Sequence, residues 1–325
     1  MEKTLEILCN INSVSSFEEK LEEKIIELAP KDCEILKDNL DNLIIKKKGN
    51  KKNNIAIVAS MDEFGLIATK IQENGNVSFL PLGKIDIDSI KGSIIHFKKD
   101  LDAVIGSKPI HLQTEEEKEE KTKIENLYLD FGFNDKKEAE KFIEIGDVFS
   151  FKYNYEKISN QAYKAKTLGD RFCCLVLLEI LKSDIENITC IFLKKEKTVP
   201  NSSKTAIYLE NPKYCIILKP YYIKKESLDE EKKPIIFPIY DYSFKYSEKL
   251  LNLAEKEALK NKFPFEKIVS KNKNIVSVDI AGSKNGVETL ALSFPCKQFN
   301  LIETAQIKTL ECFLKFTKEY IKNLK

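Results

Sequence analysis

The side chains that most often carry catalysis or bind metal ions are scarce in this sequence. It has two histidines, His96 and His111, and eight cysteines, none of them in a CxxC or CxH spacing. The cysteines therefore predict neither a zinc knuckle nor a redox pair. A Cys–His nucleophilic pair is also disfavoured, because both histidines fall in a β-rich middle stretch of the chain. No P-loop, Gly-x-Gly-x-x-Gly or Gly-x-Ser-x-Gly phrase is present.

A single arginine stands out among the basic residues. Lys and Arg together number 53, and Arg171 is the only arginine among them. A guanidinium offers a planar fork of several donors that lysine cannot replace. Arg171 follows Asp170 at the start of a helical pattern, so we expect it to tie a loop together rather than to bind a substrate. Cys173 and Cys174 come next and are expected to pack in the core, with a reactive thiol beside Arg171 as the alternative.

The composition is that of a globular protein with almost no net charge. The 325 residues are 42% hydrophobic and 32% charged, yet the net charge is only +2. Such a balance gives no long-range attraction for nucleic acid or an anionic membrane, so neither is an expected partner. No apolar run approaches the ~20 residues of a membrane span, and the first residues do not read as a signal peptide. We expect a cytoplasmic protein with reduced cysteines.

The pattern of elements predicts an α/β fold interrupted by a β-rich segment. Short apolar runs typical of buried strands alternate with helical patterns at both ends of the chain. Between residues 69 and 163, short strand-like runs are separated by Gly, Pro and Asp. We therefore predict an α/β domain made of residues 1–68 and 164–325, with a β-rich insert over 69–163. Ligands are expected at the carboxyl ends of the sheet's strands. Ser15 and Ser16, followed by Glu18 and Glu19, predict a capping box for a helix from about 17 to 28. The other main predicted elements are strands 55–59, 188–193, 214–218 and 287–292, and helices 171–181, 244–260 and 305–324.

Six short phrases follow one another along the chain in a recognisable order and spacing. They are Val58-Ala-Ser-Met-Asp62-Glu63-Phe-Gly65, Ile105-Gly-Ser-Lys-Pro-Ile-His111-Leu, Leu127-Tyr-Leu-Asp130-Phe-Gly132, Gly146-Asp147, Lys166-Thr-Leu-Gly169-Asp170-Arg171 and Ala291-Leu-Ser-Phe-Pro295. Together they resemble the tetrahedral aminopeptidases, also called glutamyl or deblocking aminopeptidases and sometimes cellulase M, over essentially the whole chain.

The resemblance implies an α/β/α catalytic-type domain, similar to phosphorylase/hydrolase-like folds, with a PDZ-like all-β insert. It also implies two zinc or cobalt ions and dimers that assemble into hollow dodecamers.

The first two metal-binding motifs of the family are altered here. Where the family has His-Met-Asp with the histidine as a ligand, this chain has Ser60 before Met61 and Asp62. A hydroxyl is a poor donor to zinc. Where the family has Asp-Asp-Arg, with the first aspartate bridging the ions, this chain has Gly169 before Asp170. The bridging position therefore has no side chain.

The remaining three motifs are altered as well. The Gln-Glu-Glu phrase, general base followed by ligand, corresponds to Lys195, Glu196 and Lys197, so the base is kept and the ligand is a lysine. An aspartate that ends a strand corresponds to Lys219, and a ligand histidine corresponds to Asn300. An ammonium has no lone pair for a metal and repels a dication. We therefore expect no dinuclear centre and no metal cofactor, although the family norm would be two Zn or Co ions.

Four polar residues remain at the predicted site. Glu196 would be a vestigial general base and Asp62 a vestigial residue behind the ions, with Asp170 and Arg171 as further pocket residues. Buried carboxylates need partners once the ions are gone. We therefore expect these acids to pair with Lys197 and Lys219, which would supply the missing positive charge. Neither histidine can replace the lost ligands, and His111 is expected to be structural.

Three functions remain open from the sequence. The leading hypothesis is a non-catalytic homologue that acts as a structural or regulatory subunit, as a homo-oligomer or together with an active paralogue. The second is an aminopeptidase with residual or rebuilt activity, with a hard metal ion held by Asp62, Asp170 and Glu196. The third is a protein that binds a peptide or small molecule in the old substrate pocket without turnover.

Overall fold

The computed structural model describes two β structures that share one chain. It describes residues 1–49, 54–98, 101–109, 111, 122–199, 201–223, 232–242, 244–270, 275–299 and 301–324. Twelve of the described strands form one large mixed sheet, and six form a closed barrel. The α/β prediction is thereby confirmed, and so is the presence of an all-β unit in the middle of the chain.

The described α-helices lie before, between and after the strands of the large sheet, except for one short helix beside the barrel. They are α1 (Glu2–Asn10), α2 (Glu19–Leu28), α3 (Lys136–Ala139), α4 (Leu168–Leu181), α5 (Ser202–Glu210), α6 (Glu248–Lys260), α7 (Ile275–Ala281) and α8 (Ile307–Asn323).

The strands follow the chain with the barrel strands in one block, from β4 to β9. The large sheet contains β1 (Glu34–Lys37), β2 (Leu43–Lys47), β3 (Ile55–Ser60), β10 (Glu156–Ile158), β11 (Ala162–Lys166), β12 (Ile188–Leu193), β13 (Tyr214–Ile223), β14 (Ile235–Asp241), β15 (Phe244–Lys245), β16 (Phe265–Ser270), β17 (Glu288–Phe299) and β18 (Ile302–Gln306). The barrel contains β4 (Gly65–Ile71), β5 (Val77–Leu82), β6 (Ile94–His96), β7 (Asp102–Ser107), β8 (Leu127–Asp130) and β9 (Val148–Phe151).

The centre of the large sheet is parallel. Strands β12, β3, β13 and β17 are neighbours in that order, and each adjacent pair runs parallel. Every residue of β12 is buried, and so is β3 as far as Ala59. A strand buried on both faces needs the continuous apolar run that both sequences show. The carboxyl ends of these strands therefore meet at one edge of the sheet.

Two helices show how the sheet is covered. Of the 14 residues of α4, all but Asp170 and Glu179 are buried, which is why its sequence is apolar on nearly every side. Helix α8 buries one face only, on which Phe313, Phe316 and Tyr320 follow one another at helical spacing. Burying such aromatic side chains contributes on the order of 2–3 kcal/mol each. None of the described helices is long and apolar enough to cross a bilayer.

The barrel has a hydrophobic core of its own. Its strands follow one another in the order β4-β5-β8-β7-β6-β9, and Leu66, Phe79, Leu129 and Phe149 are among its buried residues. The predicted division at 69–163 remains a prediction. Strand β4 already belongs to the barrel, whereas β10 and β11 pair within the large sheet through β18.

Two helices begin later than predicted, because the residues before them make other contacts. The predicted cap at Ser15 and Ser16 is wrong: helix α2 begins at Glu19, and its cap residue Glu18 makes no side-chain capping bond. Glu18 instead accepts hydrogen bonds from the backbone N–H groups of Ser16 and Lys195. The helix predicted over 244–260 begins only at Glu248, because the residues before it pair with β14.

Candidate functional site

A cavity of about 950 Å³ lies at the carboxyl ends of the central strands. The ends of β3, β12 and β13 and the beginning of α4 line one side of it, and residues that flank β4 and β5 line another. This is the edge at which ligands bind in open α/β sheets. Five of the predicted site residues line it together: Ser60, Asp170, Glu196, Lys197 and Lys219.

Tight backbone turns bring the site residues to this edge. Thr167, immediately before α4, has φ of +51°, and Lys195, after β12, has φ of +57°. A left-handed backbone is uncommon for residues with a side chain, and is an outlier for β-branched threonine. Such turns persist where the surrounding structure holds them, and they are frequent at functional sites. They position Asp170 at the helix start and Glu196 after the strand end.

Lys197 is the centre of the polar contacts. Its Nζ donates to Asp62 Oδ1 at 3.1 Å, to the Asp62 carbonyl oxygen at 2.8 Å and to Asp170 Oδ2 at 3.2 Å. The Glu196 Oε2 atom lies 3.9 Å away. The Lys197 side chain is 9% exposed and that of Asp62 is fully buried. Burial alone would lower the pKa of Lys197, but the three carboxylates outweigh it and hold the pKa well above its ordinary value.

Asp62 lies behind the cavity wall and accepts two kinds of donor from the same residue. Its Oδ2 accepts the backbone N–H of Lys197 at 2.8 Å, while its Oδ1 accepts the ammonium. An ammonium that satisfies a buried carboxylate in this way removes the cost of leaving it unpaired. The expected pairing of acids with new lysines therefore exists at Lys197.

Gly169 has no room for a larger side chain. A Cβ atom there would lie 2.6 Å from both Cβ and Cγ of Pro220 and 3.3 Å from Glu303 Oε2. Contacts below 3.0 Å require the backbone or the proline ring to move. The space beside Asp170 that an aspartate would need is thus filled by Pro220, and the Gly169 N–H donates to Glu303 Oε2 at 2.7 Å.

Glu303 is a site residue that the sequence analysis missed. It is 4% exposed and lines the cavity, where it also accepts a hydrogen bond from Tyr222 Oη at 2.7 Å. Burial, with the nearby Asp170, raises the pKa of Glu303 to about 7. The only signal was an acidic residue in a short β-like stretch before the last helix, which is too weak to identify a site.

Glu196 keeps one strong neighbour besides Lys197. Ser60 Oγ donates to Glu196 Oε2 at 3.2 Å. Burial raises the pKa of Glu196; Lys197 opposes this shift, and Asp62 adds to it. Raised carboxyl pKa values occur at catalytic acids and bases and also in structural clusters of buried charges. Its predicted role as a vestigial base remains a prediction.

Lys219 differs from Lys197 because it has no counter-charge in contact. It is half-buried, and among the described residues no carboxylate oxygen lies within 4.0 Å of its Nζ and no hydrogen bond holds it. Burial lowers the pKa of Lys219, and the more distant Glu196, Asp241 and Asp170 only partly oppose this. The two lysines predicted to act together thus have different environments.

Arg171 does not line the cavity. It is fully buried and donates to the carbonyl oxygens of Leu8 (3.1 Å) and Met61 (2.7 Å), and to Glu63 Oε2 at 2.9 Å. Lys166 binds the other oxygen of Glu63 at 2.9 Å. The guanidinium therefore ties α1 and the loop after β3 to α4, in keeping with its expected role. Glu63 was not predicted as a member of this network, although it stands next to Asp62 in sequence.

The remaining predicted residues lie elsewhere. Cys173 and Cys174 are fully buried, and burial raises the pKa of both thiols, which disfavours a reactive thiolate. His96 contacts Asp102 in the barrel at 3.1 Å, and His111 is exposed. Asn300 lies outside the described residues. Within the described ranges, no three His, Cys, Asp or Glu side chains are grouped so that they could hold a metal ion.

The fold is that of a known peptidase family. The model of the M42 glutamyl aminopeptidase family matches residues 41–316. The chain belongs to this family, so the predicted resemblance is confirmed.

Individual relatives agree with this assignment over their whole length. A protein of Acetivibrio thermocellus named "Putative aminopeptidase" is 28% identical over 324 residues, covering 96% of this chain and 95% of the relative. The lysyl aminopeptidase of Pyrococcus furiosus is 23% identical and covers 90% of each chain. The solved TET1 peptidase of Pyrococcus horikoshii, which can assemble into a tetrahedron or a large octahedral shell, superposes with a TM-score of 0.86 at 25% identity, covering 99% of both chains.

The Arg171 network predicts a large effect on stability. Replacing Arg171 by methionine leaves Glu63 with one cation fewer and removes the guanidinium donors to Leu8, Met61 and Ser13. We expect the free energy of unfolding to fall by about 3–5 kcal/mol, measured by denaturant unfolding. Lys318→Met is the control, since it removes a partly exposed pair with Glu179, which should contribute much less than the fully buried pair of Arg171 and Glu63. Equal losses in the two variants would contradict the structural role of Arg171.

Glu303 predicts a dependence of stability on pH. Its pKa is about 7 in the folded protein and 4.5 ordinarily, so the folded state holds this proton more tightly. The contribution to stability is therefore fully present below about pH 4.5 and is lost as the pH rises through about 7. Relative to Glu303→Gln, the wild type should lose up to about 3 kcal/mol between pH 4.5 and 8. Unfolding curves of both proteins at these two pH values test this, and parallel stability profiles would refute it.

Proposed function

We propose that this chain is a non-catalytic member of its aminopeptidase family that serves as a structural or regulatory subunit of an aminopeptidase-like assembly. One observation carries the proposal: the ammonium of Lys197 lies between the carboxylates of Asp62 and Asp170, in the part of the cavity where the family resemblance places the metal ions. The family resemblance gives the position of Lys197 to a carboxylate that binds a metal ion, and Asp62 and Asp170 lie beside that position. Here they already neutralise a cation that belongs to the chain.

The residues present do not fit two metal ions. Lys197 and Lys219 put positive charge into the cavity, and a dication a few ångströms from an ammonium is repelled by several kcal/mol. Ser60 donates its hydroxyl proton to Glu196 and offers no imidazole. Gly169 has no bridging carboxylate, and Pro220 fills the space for one. No step of hydrolysis is therefore derived through metal ions.

The assembly role rests on the relatives and on the barrel. The TET1 peptidase of Pyrococcus horikoshii can assemble into a tetrahedron or a large octahedral shell. We take the barrel to be a PDZ-like insert that makes contacts between subunits, in a homo-oligomer or in a hetero-oligomer with an active paralogue. The cytoplasmic location remains a prediction.

A peptidase with a rebuilt centre is the second candidate. It would use Asp62, Asp170 and Glu196 to hold a hard ion. The contacts of Lys197 with all three weigh against it, because displacing that ammonium would leave a buried charge without a partner. A binding protein without turnover is the third candidate, and the open cavity of about 950 Å³ favours it over the second.

Metal loading and activity separate the first candidate from the second. Purified protein is dialysed against zinc or cobalt, analysed for bound metal and tested on glutamyl, lysyl and leucyl anilides. We expect far less than one ion per chain and no hydrolysis above a blank, because Lys197 neutralises the acidic cluster. A family member with the complete ligand set is run in parallel as a positive control. Two ions per chain with release of N-terminal residues would overturn the proposal. Native mass measured with and without a paralogue separates the first candidate from the third.

The two lysines predict different effects on stability. Lys197→Met leaves the fully buried Asp62 without its ammonium and should lower the free energy of unfolding by about 3–5 kcal/mol. Lys219→Met, the matched control at the same cavity, removes an ammonium with no ion pair and should change stability by less than about 1 kcal/mol. Thermal or denaturant unfolding measures both. If Lys197→Met is as stable as the wild type, the ammonium does not replace the missing ions.

A further inference from the structure

Lys219 is a half-buried cation of the cavity that has no partner in contact among the described residues. Lys197 shares its charge with three carboxylates, whereas no described acid lies within 4.0 Å of the Lys219 Nζ. A half-buried ammonium has lost part of its water shell, and the hydrogen bonds lost with that water are not replaced by described protein acceptors. An anionic group of a ligand would satisfy that need with charge-assisted hydrogen bonds.

The same cavity has acceptors that the protein leaves free. Glu196 Oε2 accepts a hydrogen bond from Ser60 and lies 3.9 Å from the Lys197 ammonium. Asp170 Oδ2 accepts a hydrogen bond from Lys197. The other oxygens, Glu196 Oε1 and Asp170 Oδ1, have no donor among the described contacts. These oxygens would accept an ammonium of a ligand. The cavity thus presents a cation for an anion and acidic oxygens for a cation.

We propose that the cavity binds a small zwitterion, an α-amino acid with a free carboxylate, whose carboxylate pairs with Lys219 and whose ammonium faces Glu196 and Asp170. Phe64, Ile85, Val276 and Leu301 also line the cavity and would contact an apolar side chain. Binding of a zwitterion leaves the net charge of the cavity unchanged, so no new charge is buried without a partner. This assigns Lys219 a role that differs from that of Lys197.

The proposal rests on the proposed loss of the metal centre, since the ligand uses an ammonium and carboxylates that ions would otherwise engage. The proposal restricts the ligands of the cavity to molecules that carry a free carboxylate. A longer peptide bound by its N-terminus has an amide at that point and would leave Lys219 without a partner. Specificity of this kind arises because a site built for a charged group rejects an analogue that lacks it.

Calorimetric titration with three ligands tests the charge requirement on the wild-type protein. L-Leucine has both charges, L-leucinamide lacks the carboxylate and N-acetyl-L-leucine lacks the ammonium. We expect leucine to bind at least about tenfold more tightly than either analogue, since a tenfold ratio corresponds to one charge-assisted contact. Equal binding of leucine and leucinamide, or no binding of leucine at millimolar concentration, overturns the proposal.

Two variants assign the carboxylate contact to one residue. In Lys219→Met the preference for leucine over leucinamide should disappear, because leucine loses the partner of its carboxylate, whereas leucinamide has no carboxylate to lose one. Lys84→Met is the matched control: Lys84 is an exposed lysine on the wall of the same cavity and should leave the preference unchanged. A preference that persists in Lys219→Met, or disappears equally in Lys84→Met, refutes the assignment. The wild-type ligand comparison stands on its own if a variant does not fold.

Metal analysis of the titrated samples distinguishes the two proposals. Metal-free protein that does not bind leucine contradicts the zwitterion site and leaves the proposed non-catalytic function standing. Protein that takes up two ions and hydrolyses leucyl anilide contradicts the proposed function itself. Metal-free protein that binds leucine through Lys219 supports both.

Discussion

A carboxylate that stays ionised away from water needs hydrogen-bond donors or a cation beside it, and for Asp62 that cation is an ammonium of the same chain. Asp62 is fully buried, and Lys197 satisfies it through both its backbone N–H and its side chain. The ammonium reaches Asp170 and approaches Glu196 from the same position. The acidic residues can therefore stay where the scaffold places them without a dication to hold them together.

Two buried cations, Arg171 and Lys197, stabilise different parts of the structure around α4. Arg171 uses its planar fork to join α1, the loop after β3 and Glu63, on the side away from the cavity. Lys197 neutralises the acids on the cavity side. A guanidinium fits the first task because it donates in several fixed directions, and a compact ammonium fits the second. The single arginine of this sequence, Arg171, therefore lies where several hydrogen-bond acceptors converge.

The sequence predicted the architecture well because long buried strands leave a clear pattern. The strand over 188–193 has the predicted bounds, and those at 55 and 214 begin where predicted. Prediction failed where tertiary contacts override a local pattern: Glu18 binds Lys195 in place of completing a cap, and the residues before Glu248 pair as a strand. Periodicity cannot reveal such partners, because they come from distant parts of the chain.

The sequence predicted which residues form the site but not which of them contact one another. Motif positions gave Asp62, Asp170, Glu196 and the two lysines, yet nothing in the sequence distinguished the paired Lys197 from the unpaired Lys219. Glu303 was missed because its importance comes from burial beside Gly169 and Tyr222, which only the folded chain brings together. Burial and pairing are properties of the assembled sheet edge.

Lys197 is a tethered counter-ion, and this changes how the site responds to its surroundings. A bound ion leaves at a rate set by its affinity and its free concentration, and a chelator can remove it. The Lys197 ammonium belongs to a residue whose backbone N–H is itself bonded to Asp62, so it stays at a high local concentration whatever the solution contains. The charge balance around Asp62 therefore does not depend on a supply of free cations.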